Sequence, residues 1–299
     1  MPERDVVSWT ILIEGNRSLR KYDDALFAFE RMQFLGVLPN RVTMVIALSA
    51  CAGSGALEMG VWIHDYVKRN EWEVDVILGT SLIDMYGKCG KIDVGLSVLK
   101  SMSEKNIFTW NAVIKGLALA KSGEEAVRWF SIMEVEGVTP DEVTLVGVLS
   151  ACSHSGMVQT GRYIFQSMMD GKYGFRPNTK HYACMVDILA RAGCLDEAVK
   201  LIETMPYEPS KTMWGALLAG SKAHGNLDLC EYAAWKLVEL DPGNGAYYVM
   251  LSNLYAEMGR WNEVENVRRL MEDRGLQKDV GSSFIELETA EQVYNVFAT

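Results

Sequence analysis

The feature that most restricts what this chain can fold into is that it repeats itself at a distance of 101 residues. The segment VSWTILIEG at 7–15 returns as FTWNAVIKG at 108–116, and LGVLPNRVTMVIALSAC at 35–51 returns as EGVTPDEVTLVGVLSAC at 136–152. Trp9 and Trp110, Ala25 and Ala126, Phe29 and Phe130, Pro39 and Pro140, and Cys51 and Cys152 all obey the same offset. A third segment, LIDMYGKCGKID at 82–93, returns as MVDILARAGCLD at 185–196, offset by 103, so two residues are added near Gly171–Gly174. Long-period self-similarity of this kind marks an array of stacked units rather than one closed core.

Turn signals divide the long period further. Units 6–40, 41–75 and 76–106 hold 35, 35 and 31 residues, and units 107–141, 142–178 and 179–210 hold 35, 37 and 32. Two units of 34 follow, 211–244 and 245–278, in which Trp214 matches Tyr248, Leu217 matches Leu251 and Gly225 matches Gly259. Each unit reads as two helices. In the first, Ser8-Trp9 opens a helix that stops near Gly15–Ser18. A second helix then puts Tyr22, Ala25, Leu26, Phe29 and Met32 on one apolar face, and Gly36 and Pro39 end it. One hairpin cannot bury such a face alone, whereas stacked neighbours can. The pattern predicts an all-α chain, a right-handed α-solenoid of eight helical hairpins.

Composition narrows the function. With 29 Lys+Arg against 39 Asp+Glu, the net charge of −10 argues against binding a polyanion through a broad basic face. The acidity is uneven. Residues 1–106 carry 12 basic and 14 acidic groups, residues 107–210 carry 9 and 12, and residues 211–299 carry 8 and 13. No apolar stretch is long enough to span a bilayer, so no membrane role is expected. The cysteines at 51, 89, 152, 184, 194 and 230 form no Cys-x-x-Cys pair and no Cys/His cluster at metal spacing. They read as packing thiols in a reducing compartment. The opening MPERDVVSW lacks the apolar core and cleavage site of a signal peptide.

Units of 35, 35 and 31 residues that carry VSW-x-x-x-I-x-G, V-T-x-x-x-x-L-S-A-C and L-I-D-M-Y-x-K-C-G resemble plant pentatricopeptide repeat proteins of the P-L-S subclass. WGALLAGSKAHGN at 214–226 and YVMLSNLYAEMGRWNEVENVRRLMEDRGLQK at 248–278 resemble the two E motifs that follow the last short repeat. VGSSFIEL at 280–287 is similar to the start of the E+ extension, here 279–299, and residues 1–5 (MPER and Asp5) resemble the end of a preceding short repeat. The resemblance covers essentially the whole chain. It implies further repeats upstream, with an organelle transit peptide beyond them, and so a mitochondrial or chloroplast location.

Repeats of this family bind single-stranded RNA at one base per unit. By resemblance the reading residues are the fifth and last of each unit: Thr10/Asn40, Val45/Asp75, Thr80/Asn106, Asn111/Asp141, Val146/Asn178 and Ala183/Ser210. Thr with Asn implies adenine, and Asn with Asp implies uracil. Val45, Val146 and Ala183 cannot exchange a hydrogen bond, so the expected strand is 5′-A-n-A-U-n-n-3′. Second residues would sandwich the bases (Val7, Val42, Ile77, Phe108 and Val143, with Lys180 in the sixth unit), and Lys88 and Arg191 would meet phosphates. Each class has a plainer alternative: helix capping for the polar set, core packing for the apolar set, and solvated helix ends for the two cations.

Three roles follow. E-motif proteins of the family act as site-recognition factors for organellar C-to-U editing, which here implies a separate deaminase or accessory factor recruited through 211–299. Deamination by the chain itself would need a zinc site of the type His-x-Glu…Pro-Cys-x-x-Cys, and neither half is present, so the chain is expected to be no enzyme and to need no cofactor. The last role is a protein-binding scaffold, since 34 residues is also the tetratricopeptide period. Trp214, Tyr232, Trp235, Tyr247, Tyr248, Tyr255 and Trp261 make that region aromatic-rich, with core packing as the plainer reading. RNA stabilisation or splicing remains an alternative to editing.

Overall fold

The structure, a computed structural model, describes residues 5–276. The expected end of a preceding repeat at 1–4 and the extension at 279–299 lie outside the described residues. The described chain is all helical, with sixteen helices, fourteen of which pair as seven hairpins. In order they are α1 (Val6–Ser18), α2 (Tyr22–Phe34), α3 (Arg41–Ser54), α4 (Leu57–Arg69), α5 (Val76–Lys88) and α6 (Ile92–Ser101). Then follow α7 (Ile107–Leu119), α8 (Gly123–Val135), α9 (Glu142–His154), α10 (Val158–Met169), α11 (Thr179–Arg191) and α12 (Leu195–Thr204). The last four are α13 (Lys211–Ala223), α14 (Leu227–Leu240), α15 (Gly245–Glu257) and α16 (Trp261–Asp273).

Local chemistry sets the hairpins. The turn between the two helices of every unit has one left-handed residue at the fifteenth position: Arg20, Gly55, Gly90, Lys121, Gly156, Gly193, Gly225 and Gly259, all with φ between 57° and 80°. Glycine meets this without a Cβ penalty. Arg20 and Lys121 accept a cost of about 1–2 kcal/mol each. The amphipathic second helices then turn one face inward, as in α2, where Ala25, Phe29 and Met32 are wholly buried.

Contacts divide the chain into two compact units, residues 1–226 and 227–299, so the division falls inside the stretch 211–244. In the first unit each first helix packs directly on the next, from α1 on α3 through to α11 on α13. The second helices pack on first helices and not on one another. The row in direct contact is the shorter side of the stack, so the first helices line the inner face. Close approach is helped by glycine at the tenth position of units 4 and 7: a Cβ on Gly116 would lie 3.1 Å from the Gly87 Cα, and one on Gly220 would lie 2.5 Å from the Ala190 carbonyl oxygen.

In the first unit the core is apolar, and the cysteines serve it. Cys51 and Cys152 are fully buried, and burial pushes their thiols up to about 12 and about 11. Both are protonated at neutral pH and act as small apolar groups. In the second unit Tyr248 and Tyr255 are buried, and the Tyr255 hydroxyl donates to Glu231 while accepting from the Trp235 ring N–H. Core packing thus accounts for those tyrosines, as it does for Trp214 in the first unit, but not for Trp261, which is 67 % exposed. Among the described residues, no helix is long and apolar enough to cross a membrane.

Candidate nucleic-acid interface

The inner face is built from helix starts. The last residue of each of units 1 to 5 caps the first helix of the next unit. Asn40 accepts from the Thr43 backbone N–H at 2.9 Å, Asp75 from Leu78 at 2.9 Å, and Asn106 from Thr109 at 3.1 Å. Asp141 accepts from Thr144 at 2.8 Å and Asn178 from Lys180 at 3.0 Å, while Ser210 makes no side-chain cap. Capping is therefore a role these five perform, and it fixes their chemistry instead of consuming it. A backbone N–H must be met by oxygen, so the Asn40 and Asn106 amides turn Oδ1 to the helix and Nδ2 away from it. Asp141 offers a second carboxylate oxygen in place of that donor.

The fifth residues Thr10, Val45, Thr80, Asn111, Val146 and Ala183 are all half-buried on the first helices. In three units the fifth and last residues are joined. The hydroxyls of Thr10 and Thr43 meet at 2.7 Å, and Thr43 also donates to the Asn40 Oδ1 at 2.9 Å. Thr80 and Thr109 meet at 2.8 Å, and Thr109 donates to Asn106 at 3.2 Å. In the fourth unit the Asn111 amide donates directly to both Asp141 oxygens, at 3.1 and 3.2 Å. Burial pushes the Asp141 carboxyl up, but the Thr144 N–H and hydroxyl and the Asn111 amide outweigh it and hold the pKa below the ordinary carboxylate value. Asp141 is thus an ionised acceptor at neutral pH.

A groove of about 500 Å³ gathers the middle of this row: Val45, Thr80 and Asn111 with Phe108 and Val143. Glu14, Arg17, Asp84 and Lys115 add charge along it. Thr10, Val146 and Ala183 do not line it. Val7, Val42, Ile77, Phe108 and Val143 are between 57 % and 67 % exposed, so core packing does not account for them. Each presents an apolar side chain to solvent beside the reading positions of its unit.

The two cations named for phosphate each have a carboxylate partner. Lys88 and Arg191 stand on the last residues of α5 and α11, outside the lining of the groove, and each is ion-paired one turn back, with Asp84 at 2.5 Å and Asp187 at 2.9 Å. Position thirteen falls one turn after position nine on a helix, so an acid there reaches the cation first. Units 2 and 5, the middle unit of each round, close on themselves. Arg41 pairs with Asp75, and the Asn178 amide donates to Glu142 at 2.7 Å, so the first residue of each of these two units occupies its last residue. Together with Val45 and Val146, this leaves units 2 and 5 little to offer a base.

Sequence comparisons agree with this architecture. The E motif profile matches residues 224–286, the PPR repeat family profile matches 105–154, and the PPR repeat profile matches 7–37, 80–107 and 181–208. A mitochondrial pentatricopeptide repeat-containing protein of Arabidopsis thaliana is 46 % identical over 268 residues, 90 % of this chain and 39 % of its own length. The chain belongs to the pentatricopeptide repeat proteins with an E motif. A chloroplastic member from the same plant, CRR2, is 41 % identical over 96 % of this chain and 44 % of its own. The chain therefore spans about two-fifths of the length of these relatives. Among solved structures, the pentatricopeptide repeat protein PPR10 in complex with an 18-nt psaJ RNA element superposes with a TM-score of 0.73 over 91 % of this chain and 41 % of that one, at 14 % identity. Maize PPR10 gives a TM-score of 0.59 over 93 % of this chain and 45 % of its own, at 20 % identity. These two likenesses speak to the fold.

Two features of the pentatricopeptide face escaped the sequence reading. One is the buried threonine at the third position of the following unit (Thr43, Thr109, Thr144), whose signal was its occurrence only behind units with a polar fifth residue. The other is Lys115, which lines the groove with no ion-pair partner among the described residues and stands where the first repeat has Glu14. That exchange of sign between VSWTILIEG and FTWNAVIKG was visible in the alignment of the two rounds.

Proposed function

We propose that residues 6–210, a P-L-S array, hold one strand of RNA along the first helices at one base per unit and read 5′-A-n-A-U-n-n-3′. The observation that carries this reading is the joined polar pair in units 1, 3 and 4, set against apolar fifth residues in units 2, 5 and 6. In units 1 and 3 the outward Asn amide donates to a ring nitrogen that accepts, as N1 of adenine does. In unit 4 the Asp141 oxygen accepts from a ring N–H, as at N3 of uracil. The exposed second residues flank the bases, and Phe108 supplies an aromatic platform of the kind worth about 1–3 kcal/mol per base. Lys115 is better placed than Lys88 or Arg191 to meet a phosphate. This mode needs few cations, which suits a chain of net charge −10.

The role supported best is recognition of a site for organellar C-to-U editing, in a mitochondrion or chloroplast like those in the relatives' names, with a deaminase or accessory factor recruited in trans through the E region. Exposed Trp261 and Tyr232 in an acidic segment fit a basic protein partner. A chain ending at Asn226 retains the whole first compact unit and tests this division of labour. It is expected to bind the RNA within about twofold of the full chain and to lose editing of the bound transcript. Loss of RNA binding in the shorter chain, or retention of editing, contradicts the assignment.

A further inference from the structure

We infer that the buried threonine at the third position of the unit after each reading unit (Thr43, Thr109, Thr144) is a positioning residue that sets which base the reading pair accepts. The inference rests on the base-reading proposal above and deepens it. All three side chains are fully buried, so none can touch a base directly. Each hydroxyl lies between the fifth residue of one unit and the cap that ends it. Thr43 bridges Thr10 and Asn40, Thr109 bridges Thr80 and Asn106, and Thr144 donates to Asn111 at 2.6 Å and to Asp141 at 2.8 Å.

The Thr109 and Thr144 oxygens complete capping boxes by accepting from the Asn106 and Asp141 N–H, but a cap forms without such a hydroxyl. Leu78 occupies the same position behind the second unit, and Asp75 still caps its backbone N–H at 2.9 Å. The pattern follows the reading residues instead. Threonine stands behind Thr10, Thr80 and Asn111, whereas Leu78, His181 and Met213 stand behind Val45, Val146 and Ala183. A hydroxyl has one proton to give. Spent on the Asn106 oxygen, it locks that amide with Nδ2 facing away from the helix and leaves the Thr109 oxygen to receive the Thr80 hydroxyl. In the first unit the Thr10 hydroxyl shares its proton between the Val6 carbonyl at 2.7 Å and Thr43. The pair then meets the base in one hydrogen-bonding pattern rather than several. In the fourth unit the same proton is shared between Asn111 and Asp141, which orients Asn111 with its amide toward the carboxylate. Without the hydroxyl, the Asn111 oxygen loses its donor and only the Asp141 carboxylate orients the amide.

The test uses the full chain with Thr109→Val, which keeps the shape and removes the hydroxyl, Thr109→Ser, which restores it, and Thr144→Val as an independent second site. Affinity is measured for the 5′-A-n-A-U-n-n-3′ oligonucleotide and for versions with U at the third base or A at the fourth. Thr109→Val is expected to reduce the third-base preference for A by at least fivefold, with the fourth-base preference for U unchanged within twofold. Thr109→Ser is expected to recover the third-base preference, and Thr144→Val to weaken only the fourth. An intact wild-type preference that persists in both valine variants overturns this inference alone, as does an equal loss at both bases, which would mark a general structural role. A wild-type chain with no third- or fourth-base preference overturns the reading proposal and this inference with it.

Discussion

Changing Thr80 to Asn together with Asn106 to Asp is expected to convert the third recognised base from adenine to uracil. The double variant copies into unit 3 the pair that unit 4 already carries, Asn111 with Asp141, and Thr109 stands behind it as Thr144 stands behind the original. The cap survives, because an Asp oxygen accepts from the Thr109 N–H as the Asn oxygen does. What changes is the outward atom, from an amide donor to a carboxylate acceptor. A mismatched base costs about 1–3 kcal/mol, or roughly 5- to 150-fold in affinity. The swing between A and U at the third base should therefore be about 25-fold or more, since one contrast is lost and the opposite one gained. Competition binding with the two oligonucleotides reads it directly. An unchanged preference for A would show that the pair does not read the base.

A second large effect concerns the stack itself, and it turns on one motif position with opposite outcomes. Gly220→Ala places a Cβ 2.5 Å from the Ala190 carbonyl oxygen, a backbone atom that must move for the side chain to fit. Overpacking of this kind costs about 1–3 kcal/mol, less the roughly 0.5–1 kcal/mol gained from replacing glycine inside a helix. For a unit of this size the loss lowers Tm by about 2–4 °C per kcal/mol. Gly15 holds the same tenth position in the first unit, but a Cβ there meets nothing within 4 Å. Gly15→Ala is therefore expected to raise Tm slightly, while Gly220→Ala lowers it by several degrees in the same thermal melt. Equal behaviour of the two would mean that close helix approach at the tenth position does not hold the array together.

These contrasts show what the sequence carries and where it falls silent. The helical hairpins follow from local information: apolar spacing on α2, a capping Asn or Asp before most first helices, and a left-handed residue at each hairpin turn. The exposure of Val7, Ile77 and Phe108 was implied only by the family resemblance, because an apolar residue in a helical phase otherwise reads as core until its neighbours are placed. Lys88 and Arg191 illustrate the converse. Their motif position points to the groove, yet Asp84 and Asp187 one turn away pair with them. The hydrogen bonds that join Thr10 to Asn40 through Thr43, and Asn111 to Asp141, link side chains about 30 residues apart. No periodicity within a unit encodes such a bond. Only the stacking of one unit on the next creates it.

The measurement that tests the account most directly is equilibrium binding of the unmodified chain to 5′-A-n-A-U-n-n-3′ and to the same strand with its A and U positions exchanged, repeated at two salt concentrations. The account predicts tighter binding of the first strand by about tenfold or more, with a preference that survives the higher salt because it comes from base edges rather than phosphates. Equal affinity for the two strands, or a preference that vanishes with salt, would contradict it.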